Sequence, residues 1–142
     1  MSNLDIVLKS IDLLKEDMKP DWGKMSCSQM VKHCNRFIQV YVNEVKFKPP
    51  ISLLSPIFGK LHIFWLKYII KYNVNKYFRN LPTLRYFNTY RIKNIDFTKE
   101  KEELADRIKF VIGYKKNYIR NTFHGRIKSK TFKDVVEFHT RY

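Results

Sequence analysis

Most of the chemistry open to this chain of 142 residues rests on four histidines, His33, His62, His124 and His139, and two cysteines, Cys27 and Cys34. His33 and His139 fall on apolar stripes of two different expected helices, and the facing stripes of a bundle are where such folds build metal sites. Neutral imidazole suits Zn, Ni, Cu and Fe(II), and three protein ligands with an open position make a catalytic form of site. On spacing alone the favoured reading of each histidine is a core residue whose ring bonds a backbone carbonyl. Cys27 and Cys34 lie about 10 Å apart along one helix, beyond the ~7 Å Cα limit for a disulfide, so both are expected as free thiols. Cys34 reads as core; Cys27, in a first helical turn, is expected to gain thiolate character from the helix dipole. No Ser-His-Asp order, phosphate-cradling glycine loop or paired-carboxylate pattern competes, and the chain has only 4 Gly.

The elements that must position these groups are helices. The first is expected from Asn3 to Met18, capped by Ser2 or Asn3, with Leu4, Val7, Leu8, Ile11, Leu14 and Met18 inward. Pro20 and Gly23 break the chain before Ser26 and Gln29, which fit the S-x-x-Q capping box. The second helix then runs to about Val45, with Met30, His33, Cys34, Phe37, Tyr41 and Val45 as its stripe, and stops at Pro49-Pro50. Residues 51–70 are the most hydrophobic stretch, but Pro56, Gly59, Lys60, His62 and Lys67 interrupt it. A spanning helix wants ~20 residues with few charges, so no transmembrane segment is expected. Phe64, Trp65 and the flanking lysines have the chemistry of an interfacial helix. The favoured reading is a connection packed on the bundle, helical from Ser55 or Pro56, with His62 half-buried.

From Tyr72 to Ile95, including Pro82, no period persists, which reads as a long ordered crossover. Asp96 or Thr98 opens the third helix, with Leu104, Ile108, Val111, Ile112 and Tyr118 inward. Asn121 to Lys128 reads as a loop holding His124. Ser129 is expected to cap the last helix, where Phe132, Val135, Val136 and His139 mark one face. That helix stops at Tyr142 without a C-cap, as if truncated.

The reading is therefore all-α, a single domain over 1–142: a four-helix bundle with a long crossover between helices 2 and 3. Apolar residues at 44% exclude a disordered chain. Free thiols and the lack of a signal peptide point to the cytoplasm. The net charge of +15 suggests an anionic partner, although the 28 Lys and Arg form no basic tail. The plain reading is a solvated cationic surface. Nucleic acid is a weighed but not favoured partner, and exposed aromatics along 57–90 leave a homodimer open.

Trp22-Gly23-Lys24-Met25-Ser26, with Gln29-Met30 and His33-Cys34, resembles the second-helix signature of the DinB-like (YfiT-like) superfamily. More narrowly, it is similar to a branch known only as a domain of unknown function. The likeness continues through Phe58-Gly59-Lys60-Leu61, Asp96-Phe97-Thr98 and His124-Gly125-Arg126 to His139. It implies a four-helix bundle and a divalent metal (Zn, Ni, Fe or Mn) held by three histidines: His33 and an H-x-x-x-H pair on the last helix. His139 matches the first of that pair; the second would fall at position 143, and i, i+4 spacing puts both on one helix face. His124, in the loop that abuts this helix, reads as an outer residue or substitute ligand, or as neither, the commoner case for a loop histidine. The implied activity is a metal-dependent enzyme, a thiol-dependent transferase or a hydrolase, using a low-molecular-weight thiol; the cationic surface adds the expectation of a small, anionic substrate. The alternative is a non-enzymatic cationic module for nucleic acid or another polyanion.

Overall fold

The computed structural model of the chain describes residues 2–79, 81 and 83–141; Pro82 and Tyr142, which enter the sequence reading, lie outside them. Among these residues the fold is mostly helical: α1 (Asn3–Leu13), α2 (Cys27–Tyr41), α3 (Ile51–Phe64), α4 (Phe97–Gly113) and α5 (Ser129–Arg141). A π-helical turn, Trp65–Ile69, continues α3, and a 3-10 turn covers Val74–Lys76. Two short strands, β1 (Tyr118–Asn121) and β2 (Gly125–Lys128), pair antiparallel. The chain divides into two compact units, each built from two separated stretches: Met1–Phe37 with Phe78–Gly113, and Ile38–Tyr77 with Tyr114–Tyr142.

In the first unit, α1 opens on a capping box in which Ser2 and Asp5 exchange bonds, and it buries Leu4, Val7 and Ile11. The helix ends at Leu13, short of the expected Met18. The Lys101 ammonium donates to the carbonyls of Asp12 and Leu14, at 2.8 and 2.9 Å, and so satisfies orphan groups at the helix's negative end. Met18 is left exposed. α4 packs on α1, buries Leu104, Ala105, Ile108 and Val111, and starts where Asp96 Oδ1 accepts from the Lys99 N–H. It ends at Gly113, so Tyr118 belongs to β1 and not to the α4 stripe.

The α2 capping box forms as expected: Ser26 N–H donates to Gln29 Oε1 (2.9 Å) and Gln29 N–H donates to Ser26 Oγ (3.3 Å). The helix stops at Tyr41, before the expected Val45. Asn43 takes a left-handed φ of 66°, and the N–H groups of Glu44 and Val45 both turn back to the Gln39 carbonyl.

In the second unit, the expected 121–128 loop is a hairpin. Asn121 Oδ1 accepts from the N–H groups of Phe123 and His124, at 3.0 and 2.7 Å. Gly125 then closes the three-residue turn at φ +67°, a conformation costly for any other residue. Ser129 is the first residue of α5, and its hydroxyl donates to the Lys116 carbonyl. α5 buries Phe132, Val135, Val136, Glu137 and Phe138.

α3 begins at Ile51, ahead of the expected Ser55 or Pro56, and packs the opposite way from a usual core helix. Its inward residues are small. The Ser55 hydroxyl donates to the Thr122 carbonyl, and Gly59 lies hard against the hairpin turn. A Cβ at Gly59 would collide with the Phe123 carbonyl oxygen and come within 2.8 Å of His124 Cδ2.

Candidate functional site

His33 is half-buried on α2, where it belongs to a row of donors that grips the chain after Leu84. The i, i+4, i+7 spacing of Gln29, His33 and Arg36 lines them along one helix face. Gln29 Nε2 donates to the carbonyls of Tyr90 (2.7 Å) and Ile92 (3.0 Å). His33 Nδ1 donates to the Phe87 carbonyl (2.7 Å), and Arg36 donates to the Tyr86 carbonyl (2.7 Å) while lying over the Tyr86 ring. The Thr89 hydroxyl returns a bond to the Gln29 carbonyl. A stretch outside helix and strand thereby has the carbonyls of Tyr86, Phe87, Tyr90 and Ile92 satisfied by side chains, while turns satisfy those of Leu84, Arg85 and Thr89.

A carbonyl can only accept, so the bond to Phe87 fixes the proton of His33 on Nδ1 and leaves the ring lone pair on Nε2. Burial lowers the His33 pKa against the opposing Phe87 bond, and the nearby Arg36 charge lowers it further. The ring is therefore neutral near pH 7. One turn along, Asn35 Nδ2 donates to the carbonyl and to Oε2 of Glu100, and Arg107 donates to Asn35 Oδ1. Burial opposes the Glu100 charge, but its bonds to Lys32 and Asn35, with Arg107 nearby, hold the carboxyl below its usual range. This ionic network anchors α4 to α2.

The second unit contains a polar cluster that sequence reasoning missed. His124 is fully buried at the hairpin turn, its Nε2 bonded to the Tyr41 hydroxyl at 3.0 Å. The His62 ring lies parallel to it, centroids 6.4 Å apart, and His62 Nε2 meets the Tyr77 hydroxyl at 3.1 Å. Nδ1 of both histidines and the Tyr72 hydroxyl are buried with no hydrogen-bond partner among the described residues. Burial, with the neighbouring His62, pushes the His124 pKa down to about 3. Burial also lowers His62 and raises Tyr41. The two imidazoles and the Tyr41 and Tyr72 hydroxyls are therefore neutral at pH 7.

Of the residues singled out from sequence, His33 lies in the first unit, and His139 and His124 lie in the second. His139 is half-buried in the last turn of α5. His62 is half-buried as expected, and its pairing with His124 had no local signal, because 62 residues separate them. Cys34 is core, where burial pushes its thiol up to about 12. Cys27 corrects the expectation of thiolate character: it is buried, and burial, with Glu16 nearby, raises its pKa against the pull of Lys101. Desolvation outweighs the helix dipole there. Among the described residues, no three His, Cys, Asp or Glu side chains form a group that could hold a metal ion. The chain matches no family model, no curated protein and no solved structure.

Proposed function

We propose that the chain is a DinB-like four-helix bundle with a long crossover, and a divalent-metal-dependent enzyme of the transferase or hydrolase type. His33 and His139 would be two of the metal's ligands. The observation that carries this reading is the His33 Nδ1–H bond to the Phe87 carbonyl. Metal-ligating histidines characteristically donate their other ring N–H to a carbonyl or carboxylate, which fixes tautomer and ring orientation. The same ring is held neutral by burial, the form a metal requires. When bound, a divalent ion would lower the pKa of a coordinated water or low-molecular-weight thiol. The chain's contribution would be the preset His33 ring and a cationic surface that gathers anionic substrates.

Metal titration with elemental analysis tests the reading, on the chain as it stands and on one extended by a histidine after Tyr142. The extended chain is expected to hold one Zn, Ni, Fe or Mn ion, at least about tenfold more tightly than the unextended one. His33→Gln preserves a donor for the Phe87 carbonyl and removes the ligand nitrogen, so it should abolish binding without unfolding the chain; His139→Ala should abolish it too. Equal, negligible metal in every form would overturn the proposal. It would favour the non-enzymatic cationic module, whose mark is a salt-steep affinity for nucleic acid.

A further inference from the structure

The exposed side of α3 carries what the core of a helical protein normally holds. Leu54, Ile57, Phe58, Leu61, Phe64 and Tyr68 are all more than half exposed. Steps of three and four residues bring them onto one face along α3 and its π-helical continuation, where the rings of Phe64 and Tyr68 meet at 5.0 Å. The inner face, with Ser55 and Gly59 against the hairpin turn, cannot trade places with it: Gly59 has no room for a side chain. An unbroken apolar stripe of this kind on a helix surface marks an interaction site.

The charge around the stripe selects the occupant. Lys60 and Lys67 are exposed along its border, and the Lys67 ammonium lies 5.1 Å from the Tyr68 ring centroid. Between Glu44 and Asp96 the sequence has no acidic residue, while Lys46, Lys48, Lys60, Lys67, Lys71 and Lys76 all fall in the part of that stretch belonging to the second unit. The carboxylate that bears on Lys67, Asp134 of α5, is half-buried, and burial pushes its pKa up. A second copy of this chain would bring lysines against lysines, so self-association on this face works against its own charge. An anionic lipid surface matches both features: acyl chains take the leucine, isoleucine and aromatic stripe, and headgroups take the lysine border. No helix among the described residues is long and apolar enough to cross a membrane, so the helix would lie in the interface plane.

We propose that the outer face of α3 and its π-helical continuation is a docking surface for anionic phospholipid bilayers. Sedimentation with vesicles of phosphatidylcholine alone, and with about 30% phosphatidylserine added, tests it on the full chain. Binding is expected to the anionic vesicles and to be weak on the neutral ones. Leu61→Ser with Phe64→Ser should cut partitioning roughly 100-fold. Lys60→Glu with Lys67→Glu should cut it roughly 30-fold. Phe110→Ser, at an exposed phenylalanine on α4, should leave it unchanged. Trp22→Phe leaves Trp65 as the only tryptophan, and its emission should shift to the blue on adding anionic vesicles. The exposed positions of both double variants should leave folding intact, with an unchanged melting curve as the check. Three results would overturn the proposal: vesicle binding that survives both double variants, a concentration-dependent dimer abolished by Leu61→Ser with Phe64→Ser in a chain that ignores vesicles, or salt-steep RNA binding with no vesicle binding.

Discussion

α3 and α5 belong to the same unit and solve opposite problems. α5 puts Phe132, Val135 and Val136 at 0% exposure, the ordinary arrangement in which apolar burial drives packing. α3 leaves Leu61 at 61% and Phe64 at 56% exposed, and docks through a hydroxyl and a glycine. α5 is therefore held by burial, whereas α3 is held by close backbone approach and its large side chains contribute little to holding the fold. Hydrophobic composition reports that a helix needs an apolar neighbour. It does not report that the neighbour is part of the same fold.

The largest effect should come from breaking the conventional helix: Phe132→Ala is expected to cost about 3–5 kcal/mol in chemical denaturation, the sum of transfer and cavity terms. Acid should act next, on the residues beneath α3. The folded-state pKa of His124 is about 3, below the 6.5 of an unperturbed histidine, so the unfolded state takes up the proton first. The stability it contributes is complete above pH 6.5 and is lost as pH falls from there toward 3; the lowered pKa of His62 adds a loss of the same sign. Thermal melts across that window should show the decline, and His124→Gln should flatten it. Gly59→Ala comes third, at about 2–3 kcal/mol, because the added methyl meets backbone and cannot be accommodated by a rotamer change. Leu61→Ser should be smallest, within about 0.5 kcal/mol, and a loss as large as that of Phe132→Ala would erase the contrast between the two helices.

Features fixed by neighbours in sequence are legible in the sequence itself. The Ser26–Gln29 capping box, the Asp96 start of α4 and the core placement of Cys34 each follow from residues within a turn or two. Features fixed by distant partners are not. α1 stops where Lys101 reaches back to Asp12, and His33 bonds a carbonyl 54 residues away. A carbonyl partner for that ring is legible in kind from its place on an apolar stripe, but nothing within a few residues names Phe87. The hairpin is not legible because its strands are four residues each, too short for alternation to stand out. His124 at its turn read as a loop residue for the same reason, and its burial beneath Gly59 depends on a helix that composition alone would have turned the other way.

Gln29 faces in two chemical directions at once. Its side-chain oxygen Oε1 completes the capping box, and its side-chain nitrogen Nε2 donates to the carbonyls of Tyr90 and Ile92. A capping box by itself accepts Glu as readily as Gln. A glutamate here would keep the helix start and set a carboxylate against two carbonyl oxygens, so the usual Glu/Gln interchange is closed at this position. One side chain makes the identity of a helix's first turn answerable to a segment sixty residues downstream, and a change in either should be followed by a change in the other.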